Sequence, residues 1–317
     1  MTTPTIICDG TRTASLLDFS EVVAEVEIAA RQYRSGLIIS PERMVLPLGT
    51  SGVLLSMPAS APDIAIHKLV SVQPDNPRRA LPTIHGMVTV CDAQTGRPLC
   101  VLDGPQVTGR RTAAVSLLAI RTFLSRPPTQ VLLIGTGAQA FHHLLAIHAL
   151  YPDCRVWVRG RSAAAAESFC RAHHQVHAAI EVCAPDRIPA GVEVVITLTT
   201  STTAVYDEPA TTGRLVIGVG AFKPDMAELG RHTLAGSDLY ADDPAAARSE
   251  AGDLLQAKID WSRVAPLPLA PEHHPDLSRP IVFKSVGTAA WDLAAARAAL
   301  KRLKLDLPHA AGLERAA

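Results

Sequence analysis

Gly135-Thr136-Gly137-Ala138-Gln139-Ala140 reads G-x-G-x-x-A, directly after Val131-Leu132-Leu133-Ile134 and directly before a helix-like stretch, 138–150. The apolar run suits a strand buried on both faces of a parallel sheet. In such a strand–turn–helix, Gly135 permits the tight turn and Gly137 lets a pyrophosphate approach the backbone. Ala140 allows the helix to pack closely on the strand, and the helix N-terminus faces the phosphates. These residues predict a dinucleotide site lined by Gly135, Thr136, Gly137, Ala138 and Gln139. The plain alternative is an ordinary glycine-containing turn.

A second grouping bears on which dinucleotide. The next strand, Cys154–Val158, runs into Arg159-Gly160-Arg161-Ser162. A carboxylate in this region would accept from ribose hydroxyls. Two guanidiniums and a hydroxyl stand there instead, and they suit a 2′-phosphate by charge-assisted, bidentate hydrogen bonds. NADPH is therefore favoured over NADH; a solvated basic loop is the bland reading. Thr199, Thr200 and Ser201 follow the strand 193–198, where strand C-termini face the ligand crevice. They are candidates for the nicotinamide ribose, against a simple polar loop.

Other reactive residues are ambiguous by themselves. Lys68 interrupts the apolar strand Ile64–Val70 and is either edge-exposed or functional. Arg110 and Arg111 open a helix and cannot be told apart. Arg43 sits in a loop and is uninformative alone. Thr83 either bonds a ligand or ends a strand. His85, two residues after Thr83, is a reserve proton donor, against the plainer reading of a satisfied structural histidine. The adjacent pairs His142-His143, His173-His174 and His273-His274 diverge on a helix and cannot easily share an ion. With no H-E-x-x-H present, no metal is expected.

The elements that must position these residues fall into two styles. Up to about residue 125 the pattern is α+β. A short strand lies near 4–8, then a helix capped by Asp18 or Ser20 and reaching Arg34. Strands follow at 43–48, 52–57, 64–72, 84–91 and 98–102, then a helix at 109–124. Ser125-Arg126-Pro127-Pro128 reads as the domain boundary. Beyond it, strands at 131–134, 155–159, 178–183, 193–198, 214–219, 238–241 and 281–283 alternate with helices at 138–150, 162–174, 225–230 and 244–257. Alternation of this kind implies a doubly wound parallel sheet. The segment 265–280 reads as a Pro-rich surface loop. The Ala-rich helix 288–303 is amphipathic.

The fold class is thus α/β: a Rossmann-type parallel sheet, residues 126–287, beside an α+β antiparallel domain, residues 1–125, to which 288–317 returns. Length, 317 residues, fits two domains. Thirty basic and thirty acidic residues leave no net charge to recruit nucleic acid or an acidic membrane. Aromatics at 4% argue against base-stacking surfaces. Six scattered cysteines without C-x-x-C suit reduced, buried thiols. The absence of a secretion-like N-terminus or a transmembrane-length apolar run implies a cytoplasmic protein.

The chain resembles the ornithine cyclodeaminase/mu-crystallin family. The resemblance is carried, in order, by Lys68, Leu81-Pro82-Thr83, Asp103-Gly104, Arg111-Thr112-Ala113-Ala114, GTGAQA at 135–140, GAFKPDMAEL at 220–229 and Phe283-Lys284-Ser285-Val286-Gly287. It implies a homodimer formed through the first domain, and a carboxylate clamp of Arg43, Lys68 and Arg111, with Thr83 beside it. Thr112, Lys284 and Val286 are implied at the coenzyme, and Arg161-Ser162 stands where NADPH-using members carry Arg-Thr. Lys68 also becomes the candidate catalytic residue, polarising an imine nitrogen or giving it a proton.

One departure separates members. Where the cyclodeaminases carry Asp, two residues before the family's Pro, this chain has Phe222 before Pro224. Phe cannot handle substrate amines. The resemblance then points to reduction of cyclic imine acids: Δ1-pyrroline-2-carboxylate to proline, Δ1-piperideine-2-carboxylate to pipecolate. An alanine-type dehydrogenase, an ornithine cyclodeaminase, and a non-catalytic NADPH or ligand binder of the mu-crystallin kind are the competing readings.

Overall fold

The computed structural model describes residues 4–269 and 277–305. The chain divides into two units. One runs up to Ala114 and resumes at Thr288; the other is Val115–Gly287. The division falls inside a helix rather than at Ser125–Pro128.

The first unit holds strands β1 (Ile6–Ile7), β2 (Met44–Leu48), β3 (Gly52–Ser60), β4 (Ile64–Val72), β5 (Ile84–Asp92) and β6 (Pro98–Asp103). Their order is β1-β6-β5-β4-β3-β2. Neighbours are antiparallel except β1 and β6, which run parallel. Its helices are α1 (Gly10–Leu16), α2 (Phe19–Arg34), the first half of α3 (Gly104–Phe123) and α9 (Ala289–Leu303). Asp18 caps α2, its carboxylate accepting from Ser20 N–H (3.0 Å) and Glu21 N–H (3.3 Å).

Helix α3 starts five residues before the expected 109. Asp103 accepts from Gln106 N–H at 2.8 Å, and Gly104-Pro105 occupy the first turn, where proline is tolerated. α1 lies between the expected strand and the expected helix; the carboxylate of Asp9 caps it by accepting from Arg12 N–H (2.7 Å).

Helix α9 is nearly all buried and packs on α2, β3 and β4. Arg297 pins it: Nε and Nη2 bond the two oxygens of Asp63 at 2.8 and 2.7 Å, and Nη1 donates to Gln32 Oε1 at 2.7 Å. Such bidentate charge-assisted pairs fix orientation as well as adding energy.

The second unit is a parallel sheet in the order β13-β12-β14-β11-β10-β7-β8-β9. Its strands are β7 (Gln130–Ile134), β8 (Arg155–Arg159), β9 (Ile180–Val182), β10 (Val194–Thr197), β11 (Leu215–Gly218), β12 (Asp238–Ala241), β13 (Val264–Pro266) and β14 (Ile281–Lys284). Its own helices are α4 (Ala138–Leu150), α5 (Ala163–His173), α6 (Arg231–Ala235), α7 (Pro244–Glu250) and α8 (Gly252–Ala257). The expected α/β class is borne out. From β7 the chain winds outward through β8 and β9, then returns to the other side at β10. The reversal between β7 and β10 is the topological switch point at which doubly wound sheets bind ligands.

Three details differ from expectation. Residues 225–230 are not helical, because Glu228 and Leu229 give their N–H groups to the Asp253 carboxylate. The helix expected at 244–257 breaks at Ala251. A Cβ on Gly252 would meet Met226 O at 2.0 Å, so the chain passes too close for a continuous cylinder of side chains. β13 occupies the start of the supposed loop 265–280, pairing in parallel with β12. The His273-His274 pair and the end of the expected 288–317 segment lie outside the described residues.

Candidate active site

Lys68 belongs to a central strand, so the edge-exposed reading falls. β4 pairs with β3 and β5, placing Lys68 between Met57 and Val88. Strand alternation puts it on the face of Ile64, Ile66 and Val70, the buried face. A lysine there needs a partner. Asp292, in the first turn of α9, supplies it: Oδ2 lies 2.6 Å from Lys68 Nζ, and Oδ1 accepts from Arg111 Nε at 3.1 Å. Asp292 is wholly buried, and Lys68 and Arg111 nearly so.

Burial pushes Lys68 down from its ordinary 10.5 to about 8; Asp292 pulls the other way, and the charges of Arg111 and Arg43 add to the fall. A lysine so placed carries a proton it can release near neutral pH.

Asp292 distinguishes the two arginines. Arg110 turns away, donating to Leu17 O at 3.0 Å and lying over the Phe19 ring at 4.6 Å. Arg43, in the loop before β2, is half-buried. Thr83 lies half-buried in the bend before β5, its carbonyl accepting from Gln73 N–H at 2.8 Å. Thr112 is buried on α3. His85 is corrected as a proton donor: Val88 is the residue opposite Lys68, so odd-numbered His85 points to the other sheet face. His67, also exposed, bonds Ser56 Oγ at 2.8 Å.

In the second unit, the turn after β7 has the geometry its glycines imply. Gly135 has φ +133°, and a Cβ there would meet Leu198 O at 2.7 Å, so only glycine fits between the turns after β7 and β10. At Gly137 a Cβ would meet nothing within 4 Å, so the space beyond it is open. Gly137 caps α4 without a side-chain hydrogen bond, whereas Asp18, Ser162, Asp243 and Thr288 each cap their helices. The first-turn N–H groups of Ala138 and Gln139 are left for an anion. Gln139 Oε1 is buried with no hydrogen-bond partner among the described residues. Thr136 is half-buried beside it.

His143 braces this turn. Its Nδ1–H donates to Gln139 O at 2.8 Å, leaving Nε2 to accept from Ser116 Oγ at 2.9 Å. Burial holds the ring neutral, pushing it down to about 4.

The basic loop after β8 is divided in its work. Arg159 Nη2 donates to Ala184 O at 3.0 Å and to Cys183 Sγ at 3.6 Å, while its Nε is buried with no hydrogen-bond partner among the described residues. Arg161 is exposed, with no ion pair among the described residues. Ser162 Oγ caps α5, accepting from Ala165 N–H at 3.2 Å, and still has a hydrogen to give.

Thr199 is half-buried and Thr200 exposed at the end of β10. The Lys284 side chain is fully buried, paired with Asp253 Oδ2 at 2.6 Å, while its carbonyl accepts from Asp242 N–H at 3.0 Å. Val286 N–H donates to Asp242 Oδ1 at 2.9 Å. Both residues, which the resemblance implies at the coenzyme, therefore also hold their own turn together.

The model of the ornithine cyclodeaminase/mu-crystallin family matches residues 5–305. The chain belongs to that family. Within it, a Δ1-pyrroline-2-carboxylate/Δ1-piperideine-2-carboxylate reductase from Azospirillum brasilense is 51% identical over 296 residues, 93% of this chain and 95% of the relative. Δ1-pyrroline-2-carboxylate reductase 2 of Burkholderia ambifaria is 50% identical over 291 residues, 92% and 94% of the two chains. Among solved structures, an archaeal alanine dehydrogenase dimer with bound NAD aligns with a TM-score of 0.84 at 25% identity, covering 95% of this chain and 96% of that one.

The two acids near Phe222 differ in their surroundings. Asp225 is exposed, and Glu228 is wholly buried and saturated with hydrogen-bond donors. Among the described residues no three His, Cys, Asp or Glu side chains group closely enough to hold a metal ion, and no helix is long and apolar enough to cross a membrane. Asp292 and Asp253 carry no expectation from the sequence, and Glu228 enters there only as an acid out of register with the cyclodeaminase Asp. Asp292 carries the one usable signal: an acid in the first turn of an otherwise Ala-rich buried helix.

Proposed function

We propose that this chain reduces cyclic imine acids, Δ1-pyrroline-2-carboxylate to proline and Δ1-piperideine-2-carboxylate to pipecolate, with NADPH as coenzyme. The observation that carries this reading is the buried Lys68–Asp292–Arg111 cluster, a proton donor and a carboxylate binder sharing one counter-ion. Relatives at 50–51% identity named for this reduction support it.

The open space at Gly137, the uncapped start of α4 and the unpartnered Gln139 Oε1 fit a nicotinamide dinucleotide. Its reduced nicotinamide, when bound, supplies the hydride. The rest is done by side chains. Arg111, with Arg43, takes the substrate carboxylate; its planar fork fixes the ring's orientation as well as its position. Orientation of this kind contributes on the order of 7 kcal/mol in favourable cases. Lys68 places its ammonium on the ring nitrogen and gives up a proton as that nitrogen becomes an amine. Asp292 holds Lys68 and Arg111 in register. No covalent nucleophile is needed.

Arg161 and the Ser162 hydroxyl support the 2′-phosphate preference, with Arg159 the lesser contributor because its Nη2 serves Ala184 O and Cys183 Sγ. Exposed Met44 and Leu46 on β2 share with Met87 on β5 the sheet face turned away from Lys68, and suit burial against a second copy, hence a homodimer.

Loss of reduced-nicotinamide absorbance with Δ1-pyrroline-2-carboxylate, absent with pyruvate plus ammonia, is the expected result. Consumption of alanine with NAD, or release of ammonia from ornithine, would replace the reading. Arg161→Ala should raise KM for NADPH about tenfold, as loss of a charge-assisted contact implies, and leave NADH unchanged.

A further inference from the structure

We infer that Glu228 is a positioning residue for the nicotinamide end of the coenzyme, gathering the turns that leave β10 and β11 onto one buried carboxylate. The inference rests on the coenzyme reading proposed above.

Both turns converge on this side chain. Glu228 Oε1 accepts from Thr199 N–H, just after β10. Oε2 accepts from Thr197 Oγ1 at 2.9 Å, within β10, and from Gly220 N–H at 2.6 Å and Ala221 N–H at 3.2 Å, just after β11. The turns are pressed together there: a Cβ on Gly220 would fall 2.0 Å from Thr199 O and 2.6 Å from Glu228 Oε1. The main chain of Glu228 is held as firmly. Its carbonyl accepts from Val205 and Tyr206 N–H groups at 2.8 and 2.9 Å, and its N–H donates to Asp253 Oδ1. The other oxygen of Asp253 receives Lys284 Nζ at the end of β14. One network therefore spans the C-terminal ends of three adjacent strands, β10, β11 and β14.

That edge is where a doubly wound sheet presents its ligand, beside the switch point marked by Gly135. Thr199 and Thr200, Phe222, and Val286 all project from turns this network fixes. An apolar side chain in place of Glu228 could fill the space, and buried ionic groups are often replaceable by apolar ones without loss of stability. It could not present an acceptor to four donors at once. Burial raises the carboxyl, and Lys284 together with the Thr199 N–H opposes that rise. All four bonded groups are donors, which an ionised carboxylate satisfies and a carboxylic acid does not.

Glu228→Gln keeps size and shape but sets an amide N–H₂ against at least one of these donors. The expected result is a rise of about tenfold or more in the dissociation constant and KM for NADPH, the worth of a lost charge-assisted bond. KM for the imine acid at saturating coenzyme should stay within about twofold, since its clamp lies in other elements. Thr197→Val, which removes one donor and keeps the carboxylate, gives the same pattern with a smaller change and serves if Glu228→Gln does not fold. Folded variants that bind NADPH as the wild type does would overturn the inference. So would equal rises in both KM values. Failure of the wild type itself to bind NADPH or NADH would instead remove the coenzyme reading, and this inference with it.

Discussion

Asp292 Oδ2 lies 2.6 Å from Lys68 Nζ while its Oδ1 accepts from Arg111, so one carboxylate from α9 pairs with a cation on β4 and another on α3 and leaves the cluster one positive charge in excess. Neither cation could be buried alone: the effective penalty is several kcal/mol per ion. Asp292→Asn leaves two uncompensated charges and should lower stability by about 3–5 kcal/mol. In the folded fraction Lys68 loses the group that opposes its fall, so its proton leaves at lower pH. Chemical denaturation and a pH–rate profile check the two effects separately.

The pH dependence follows from Lys68. In the proposed mechanism reduction needs the ammonium form, and the folded-state value, about 8, lies below the ordinary 10.5. kcat/KM for the imine acid should be flat at lower pH and fall as pH rises through about 8. Oxidation of proline by the same site should rise over that range. The sign for stability is opposite to that for reduction. Between about 8 and 10.5 the unfolded chain binds more protons at this group, so its contribution to stability increases with pH. Lys68→Arg, which does not titrate in this range, should abolish the alkaline limb of whatever activity it keeps.

Adjacent arginines make a controlled pair. Arg111→Lys keeps the charge and loses the fork, so KM for the substrate should rise about tenfold or more with coenzyme KM unchanged. Arg110→Ala removes a bond to Leu17 O and a cation–π contact with Phe19, which together should cost about 1–2 kcal/mol of stability. Its substrate KM should match the wild type. Steady-state kinetics alongside thermal melts separate the two roles.

Two glycines of one turn should fail in different ways. Gly135→Ala forces a Cβ onto Leu198 O at φ +133° and should destabilise the fold by about 2 kcal/mol or more. Gly137→Leu enters open space, so stability should change by only about 1 kcal/mol. Its side chain would occupy the approach of the pyrophosphate, and KM for the coenzyme should rise more than about tenfold. Melting curves and coenzyme titrations distinguish the two.

Why some of this was readable in the sequence and some was not has physical causes. Val131–Ala140 declared itself because a doubly buried strand, a glycine turn and a helix start each leave a local mark. Lys68 was visible as a cation among apolar residues. Whether it lay at an edge depended on two neighbouring strands, which no local pattern reveals. Arg110 and Arg111 were indistinguishable because the residue that separates them, Asp292, is brought up from the far end of the chain by α9. The early start of α3 depends on Gly104-Pro105 serving as a first turn behind the Asp103 cap, a tertiary detail that the apolar spacing from 109 onward does not carry. Residues 225–230 have helical composition, yet their N–H groups are drawn to Asp253. For Lys68, for Arg111 and for residues 225–230 a partner distant in the chain decided what the local pattern left open.

The central claim is that the cationic cluster built on β4, α3 and α9 holds the anionic ring whose nitrogen Lys68 protonates. A crystal structure of the chain with NADPH and proline, the proposed product, tests it most directly. The account predicts the proline carboxylate on Arg111 with Lys68 Nζ at hydrogen-bond distance from the ring nitrogen. Proline bound away from both side chains, with Lys68 and Arg111 paired only to Asp292, would contradict it.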